Sequence, residues 1–360
     1  MGFSMYRVGE RINNLLGETI EKIYSLIAEI DAVKTSWRIT NNIASQILER
    51  LTESAIITSS GSSNRIEGNR LSDIEVKSIY QNINIKKFKT RDEQEIAGYI
   101  ETLQFVFDNY AEIAISESNI LWLHKEMLKY CDKDERHRGT YKIGANRVEV
   151  HDPSGNVVGV VFDPTPPHLV RKEMSELIHW YNDAISRKHP LIITANFISE
   201  YLAIHPFQDG NGRISRLLSN LMLLLGGYQF TKITSHEQII EANKAEYYKV
   251  LNYTQKTWKT EHEDVSEWIL FFLTVVKIQA QKVVDIMNRD NFEQLLSEKQ
   301  LMVWNYILSL NGGEFSRKDV IAATNAPAIT VESIIKKFLN MNKITKLGQG
   351  RATRYKKIIV

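Results

Sequence analysis

Apolar side chains fall at helical spacing along most of this chain. Near its start Leu15, Ile20, Ile23, Ile27 and Ile30 recur with a period near 3.6, which predicts an amphipathic helix. The same period predicts helices over 95–110, over 116–130 with Ser116 as its N-cap, and over 169–184. Residues 191–204 are apolar almost without interruption and read as a buried helix, which Pro206 breaks just beyond His205. Ile214, Leu217, Leu218, Leu221, Met222 and Leu225 then mark a second helix, stopped by Gly226-Gly227. Further helices are expected over 241–257 and 265–287, the latter greasy on all sides and therefore a core helix.

The period changes in two places. Val148-Glu149-Val150 and the run 157–162, which contains Val161 and Phe162, flank an Asp152-Pro153-Ser154-Gly155 turn; β-branched residues around such a turn read as a hairpin. Beyond Phe292, short helices over 297–310, 316–324 and 330–341 precede strands at 343–344 and 355–360 about a Gly348-Gln349-Gly350 turn, an order that resembles a winged helix. The expected fold is mainly α, in three parts: an N-terminal helical region (1–94), a helical core with a β-hairpin (95–288) and a winged-helix-like domain (292–360).

Composition changes this picture little. Forty-five Lys and Arg against 43 Asp and Glu leave a net charge of +2, which argues against a surface built throughout for nucleic acid or anionic membrane. Any such role is local. Lys336, Lys337, Lys343, Lys346, Arg351, Arg354, Lys356 and Lys357 crowd the end of the chain against only Glu332. They could serve DNA phosphates, with 330–340 as recognition helix and Gly348 at the wing tip, or a protein contact; both readings stay open. The single cysteine, Cys131, excludes an internal disulfide framework. Residues 1–10 lack the apolar core of a signal peptide, and the longest greasy run, 268–276, is too short to span a bilayer. A cytoplasmic protein without a membrane partner is expected.

The densest chemistry lies in His205-Pro206-Phe207-Gln208-Asp209-Gly210-Asn211-Gly212-Arg213-Ile214-Ser215-Arg216. The order helix, glycine loop, helix leaves the N–H groups of Gly210, Asn211, Gly212 and Arg213 at a helix start, where backbone donors bind phosphate. Arg213 and Arg216, three apart, add two planar forks on one face. Asp209 would repel a polyphosphate unless a divalent cation bridged them, most naturally Mg²⁺. His205 is the group able to accept a proton near neutral pH. A second stretch, 59–69, places Ser63 four residues before Glu67 and Gly68, so that Ser63 and Glu67 share a helical face. Asn64 followed by Glu67 is at the same time a capping-box pattern.

The twelve-residue stretch resembles the signature of the Fic family of protein AMP-transferases at all nine defining positions. The resemblance implies an enzyme that moves AMP from ATP, its co-substrate, to a Ser, Thr or Tyr hydroxyl of a protein target, with modification of itself as well. It implies His205 as base, Asp209 as Mg²⁺ ligand, and the loop from Gly210 through Arg213 together with Arg216 as nucleotide site. Ser63-x-x-x-Glu67-Gly68 resembles the family's inhibitory motif in the subgroup that carries it N-terminal to the core, which implies that Glu67 pairs with Arg216 in place of the γ-phosphate. The hairpin resembles the family's target-docking flap, implying that Val148, Val150, Val161 and Phe162 hold a substrate segment by strand pairing. Tyr247 and Tyr248 lie where the family has a tyrosine pair beside adenine. Transfer of another phosphoryl or nucleotidyl group, removal of AMP, or an ATP-sensing DNA-binding regulator remain alternatives on the same residues.

Overall fold

The computed structural model describes residues 6–13, 15, 17–39, 45–85, 87–146, 148–151, 157–288, 296–310, 312–341, 343–348 and 353–358. The chain divides into two compact units, Met1–Arg38 with Leu51–Val283, and Ile39–Arg50 with Val284–Val360. The helices in chain order are α1 (Tyr6–Asn13), α2 (Gly17–Ile39), α3 (Ser45–Ile66), α4 (Asp73–Gln81), α5 (Arg91–Asn109), α6 (Glu117–Met127), α7 (Pro167–Ala184), α8 (Pro190–Ile204), α9 (Asn211–Leu225), α10 (His236–Ala242), α11 (Lys244–Thr257), α12 (Ser266–Asn288), α13 (Glu298–Ser309), α14 (Arg317–Thr324) and α15 (Ala328–Asn340). The strands are β1 (Val148–His151), β2 (Val157–Phe162), β3 (Glu314–Phe315), β4 (Ile344–Leu347) and β5 (Arg354–Lys357).

In the larger unit α8 and α9 lie at the centre, with α7 packed on α8 and α5 on α9. Both central helices are buried over nearly their whole length, α8 on its largely apolar composition and α9 with its polar residues Arg213, Ser215, Arg216, Ser219 and Asn220 buried beside its leucines. Charges nevertheless enter this core. Arg11 of α1 reaches Glu200 of α8 at 2.7 Å and Glu263 at 2.8 Å, Arg7 pairs with the same two carboxylates, and Asn196 returns a hydrogen bond to the Val8 carbonyl at 2.8 Å. Removing one member would leave a buried charge unmatched, which is what gives such a network its grip. It ties the N-terminal helix to the helix that ends at His205.

Several expected elements shift. The predicted helix over 241–257 is two helices, because Asn243 turns its amide back to the Ile239 carbonyl (2.8 Å) and caps α10 before α11 begins. The capping-box reading of Asn64 and Glu67 fails: α3 continues to Ile66, so Asn64 lies in a last turn rather than at a start. Ser59, Ser60, Ser62, Ser63 and Asn64 are small enough to be buried outright. Gly68 (φ +99°) then closes a Schellman turn, with Gly68 N–H donating to Arg65 O (3.1 Å) and Asn69 N–H to Asn64 O (3.1 Å). Glu67 is therefore the C-cap residue, just outside the helix, and it meets the same Arg216 guanidinium as Ser63.

β1 and β2 form the expected antiparallel hairpin, with Val148 opposite Phe162 and Val150 opposite Gly159. Its Asp152–Gly155 turn lies outside the described residues, as do the side chains of Val148, Val150 and Val161. Phe162 is buried and packs edge-on against Trp258, with ring centroids 5.4 Å apart.

The smaller unit runs α13, β3, α14, α15, β4, β5, with sheet order β3-β5-β4. Val303, Trp304, Phe315, Val331, Ile334 and Phe338 supply its core. The two-residue β3 was not legible in the sequence, since no period exists over two positions. On α15 the exposed positions are Ile329, Glu332, Ser333, Lys336 and Asn340, whereas Lys337 is half-buried and donates to Gln300 at 2.9 Å. Arg351 lies outside the described residues.

Candidate functional site

The site begins where α8 stops. His205 N–H still donates to Tyr201 O (2.9 Å), but the residue itself is left-handed at φ 53°, ψ 61°. That turn brings its ring into the lining of a cavity of about 820 Å³, lined also by Glu67, Leu202, Gly212, Tyr247 and Tyr248. Nδ1 lies 3.3 Å from the Leu202 carbonyl, which can only accept. Nδ1 therefore carries the proton and Nε2 is left as a bare acceptor. Desolvation pushes the imidazole down to about 4, against the pull of the Leu202 carbonyl, so at neutral pH it is uncharged and able to take a proton.

The loop after it is fixed from within. Asn211 accepts from Phe207 N–H (2.9 Å) and donates to Phe207 O (2.7 Å), so its side chain holds the loop and leaves only its backbone for a ligand. Phe207 is buried and stacks on His124 of α6, centroids 3.7 Å apart and planes 4° apart. His124 Nδ1 accepts from Gly139 N–H (2.8 Å), which leaves Nε2 protonated to donate to the Asp209 carbonyl (3.0 Å). Burial lowers the His124 pKa to about 4 and that of His236 equally far. A chain that unfolds regains ordinary imidazoles, so protons bind the unfolded state first. The stability held by these neutral rings is complete above about pH 6.5 and is lost as pH falls toward 4. The melting temperature should drop between pH 6.5 and 4.5, above the range where most carboxylates titrate, and His124→Gln should flatten that slope. A melting temperature constant over this window would contradict the buried neutral state.

Gly210 (φ +81°) caps α9, and the first-turn N–H groups of Asn211, Gly212 and Arg213 have no intrahelical carbonyl to meet. Arg213 and Arg216 are almost fully buried. Arg213 Nη2 lies 3.2 Å from Asp209 Oδ2 and Arg216 Nη2 2.7 Å from Glu67 Oε1. Arg216 also donates through Nε to Ser63 Oγ (2.8 Å) and through Nη2 to the Ser63 carbonyl (2.8 Å). Burial would lower the Arg216 pKa, but the Glu67 carboxylate together with Tyr247 and Tyr99 outweighs it and holds the guanidinium charged. Three buried donors, Nε and Nη1 of Arg213 and Nη1 of Arg216, make no hydrogen bond among the described residues, although Arg213 Nη1 forms an ion pair with Glu95 Oε2 at 3.3 Å. A methyl group at Gly212 would come within 2.2 Å of Glu67 Oε1, so only glycine lets the carboxylate approach this helix start. A carboxylate thus lies on the N-terminus of α9, the kind of position where backbone and helix dipole favour an anion.

Asp209 accepts from Gly210 N–H (2.6 Å) and, at Oδ2, from Arg91 Nη2 (2.9 Å). Burial would raise its pKa, but Arg213, the Gly210 N–H and Arg91 together bring it below the usual value, so it is a carboxylate. Its side chain is 41% exposed. Oδ1 is held by Gly210 and Oδ2 by Arg91 and Arg213, yet a part-exposed carboxylate of this kind suits Mg²⁺, which binds through one or two carboxylates and draws its other ligands from phosphates and water. Tyr247 is buried and its T-shaped partner Tyr248, centroids 5.1 Å away, is 41% exposed. Tyr248 Oη donates to the Ile66 carbonyl (3.3 Å), so the pair borders both the cavity and the end of α3. Arg91, Glu95 and His124 were missed by sequence reasoning. Arg91 and Glu95 look like an ordinary surface i,i+4 pair and His124 like one polar residue on an amphipathic helix.

Residues 114–223 match the Fic/DOC family. Among curated proteins the chain is 31% identical over 166 residues to the protein adenylyltransferase Fic of Drosophila grimshawi, and 29% over 170 residues to the protein adenylyltransferase fic-1 of Caenorhabditis briggsae. Each match covers 45% of this chain but only 32% and 31% of the relative, so the chain spans about a third of the length of these proteins. Among solved structures, a Fic family protein from Desulfovibrio desulfuricans superposes with a TM-score of 0.61 at 21% identity, over 96% of this chain and 97% of that one. Fic-1 from C. elegans gives 0.57 at 20% identity, over 75% and 72%. At that identity the likeness concerns the fold. No described helix is long and apolar enough to cross a membrane.

Proposed function

We propose that the chain, which carries a Fic/DOC-family domain at residues 114–223, transfers AMP from ATP to a Ser, Thr or Tyr hydroxyl of a protein, and that Glu67 restrains it. The observation that carries this reading is the meeting of an anion site and a neutral imidazole on one cavity. The start of α9, Arg213 and Arg216 suit polyphosphate oxygens, and His205 Nε2 stands ready for a proton.

In the proposed reaction the hydroxyl oxygen attacks the α-phosphorus. A new P–O bond forms as the bond to the β-phosphate oxygen breaks, pyrophosphate leaves, and the hydroxyl proton passes to His205 Nε2. The α9 N–H groups and Arg213 stabilise the charge that grows on the phosphoryl oxygens, which is the largest expected contribution. Asp209 would hold Mg²⁺, whose charge offsets that of the phosphates. Tyr247 and Tyr248 would flank the adenine, and the β1–β2 hairpin offers strand pairing to an extended target segment. Glu67, on the site expected of the γ-phosphate, leaves ATP without its third anchor.

Parallel incubations of the Glu67→Gly protein with α-labelled and γ-labelled ATP test the reading. Protein label should appear from the α-labelled nucleotide alone. Label from γ-labelled ATP would replace the proposal with phosphoryl transfer, and label from neither would remove it.

A further inference from the structure

Left-handed backbone at His205 is costly for a residue with a Cβ, and it persists only where the surroundings over-determine it. The segment between α6 and β1 supplies that constraint. Lys142 N–H donates to the Pro206 carbonyl at 2.9 Å. Its ammonium donates to Asn146 Oδ1 at 2.6 Å and lies 3.4 Å from the Ile204 carbonyl. The Asn146 amide donates to the Phe207 carbonyl at 2.6 Å and lies 3.5 Å from that of His205. Four successive carbonyls, from Ile204 to Phe207, are thus met by two residues.

Lys142 is only 4% exposed, and burial pushes its ammonium down to about 8 against the pull of Asp163 and Glu173. A side chain needed only for packing would avoid that desolvation cost. Asn146 is equally committed: its oxygen is the nearest acceptor of the lysine, and its nitrogen is one of two side-chain donors on the Phe207 carbonyl, the other being Asn211, so an apolar replacement strands the buried ammonium and loosens the loop. Neither residue touches the anion site, which is built from α9 and its arginines.

We infer that Lys142 and Asn146 are positioning residues for His205, a backbone clamp that holds the imidazole in the cavity lining with Nε2 free. The inference rests on His205 being the base, and it makes the chemical step, rather than nucleotide binding, depend on a segment outside the signature.

The test uses the full chain carrying Glu67→Gly. Lys142→Met and Asn146→Ala should each lower kcat for self-labelling by about 10²-fold, the scale of a misplacement of about 1 Å, with KM for ATP unchanged. Lys142→Arg, which keeps cationic donors for the Ile204 carbonyl, should recover most of the rate. Backbone hydrogen exchange over 204–208 should speed up in Lys142→Met while α9 stays protected. A parent-like kcat and parent-like loop exchange in Lys142→Met would overturn the inference, as would a loss expressed wholly as a raised KM. His205→Ala is measured beside them. If it labels at the parent rate, the base assignment and the clamp fail together; if it is inert while Lys142→Met matches the parent, the clamp alone fails.

Discussion

His205→Ala is expected to lower AMP transfer by about 10²- to 10⁴-fold, the usual contribution of a general base, while ATP affinity stays near that of the parent. The two effects separate because different elements carry them. On the proposed reading, nucleotide affinity would be spread over the N-terminus of α9, Arg213, Arg216 and the tyrosine pair, none of which hydrogen-bonds the imidazole. The proton has one destination: Nδ1 is taken by the Leu202 carbonyl and only Nε2 is bare. His124 cannot substitute, since Gly139 and Asp209 occupy both of its nitrogens. Single-turnover labelling with α-labelled ATP checks the rate, and calorimetry with a non-hydrolysable analogue checks the affinity. Parent-rate labelling by the variant would show that the hydroxyl proton leaves by another route.

The second large effect has the opposite sign. Glu67→Gly should raise self-labelling by about 10²-fold, the scale on which a misaligned phosphoryl group is penalised. Arg216 is 2% exposed and the carboxylate 2.7 Å from it is 36% exposed, so the arginine is held inside and the glutamate reaches it from the open side. Removing Glu67 leaves the turn intact, because its hydrogen bonds come from backbone groups and its left-handed residue is Gly68. Arg216 keeps Ser63 Oγ and the Ser63 carbonyl as acceptors but loses its counter-charge, so the variant should melt slightly earlier without nucleotide and gain more from ATP than the parent does. Adding Arg216→Ala should cancel the gain in labelling. Equal or lower activity in Glu67→Gly, with its fold intact by circular dichroism, sinks the inhibitory role. A gain that survives Arg216→Ala would place the action of Glu67 elsewhere.

Most helices could be read in advance because a 3.6-residue period is a local property. Ser116, Ser297 and Ser316 cap helices at or within a residue of the expected starts. The exceptions are equally physical. Asn243 could continue a helix or end one, and only the back-bond to Ile239 decides. The stretch around Asn64 satisfied a capping-box pattern, yet burial of its serines carried α3 through it.

By itself the sequence determined the order of chemistry in the loop from His205 to Arg216, since a base, a carboxylate, glycines and two arginines within twelve residues must share one short turn. It also determined that a glycine follows Glu67, though not that this glycine ends a helix. The tertiary structure decided everything that depends on distant segments arriving together. Glu67 reaches Arg216 across 149 residues, Arg91 shares the Asp209 carboxylate, and Lys142 and Asn146 hold the loop that presents His205. No spacing rule encodes these meetings, because they follow from which faces of α3, α5, α6 and α9 are buried against one another, and that is settled by packing of the whole core.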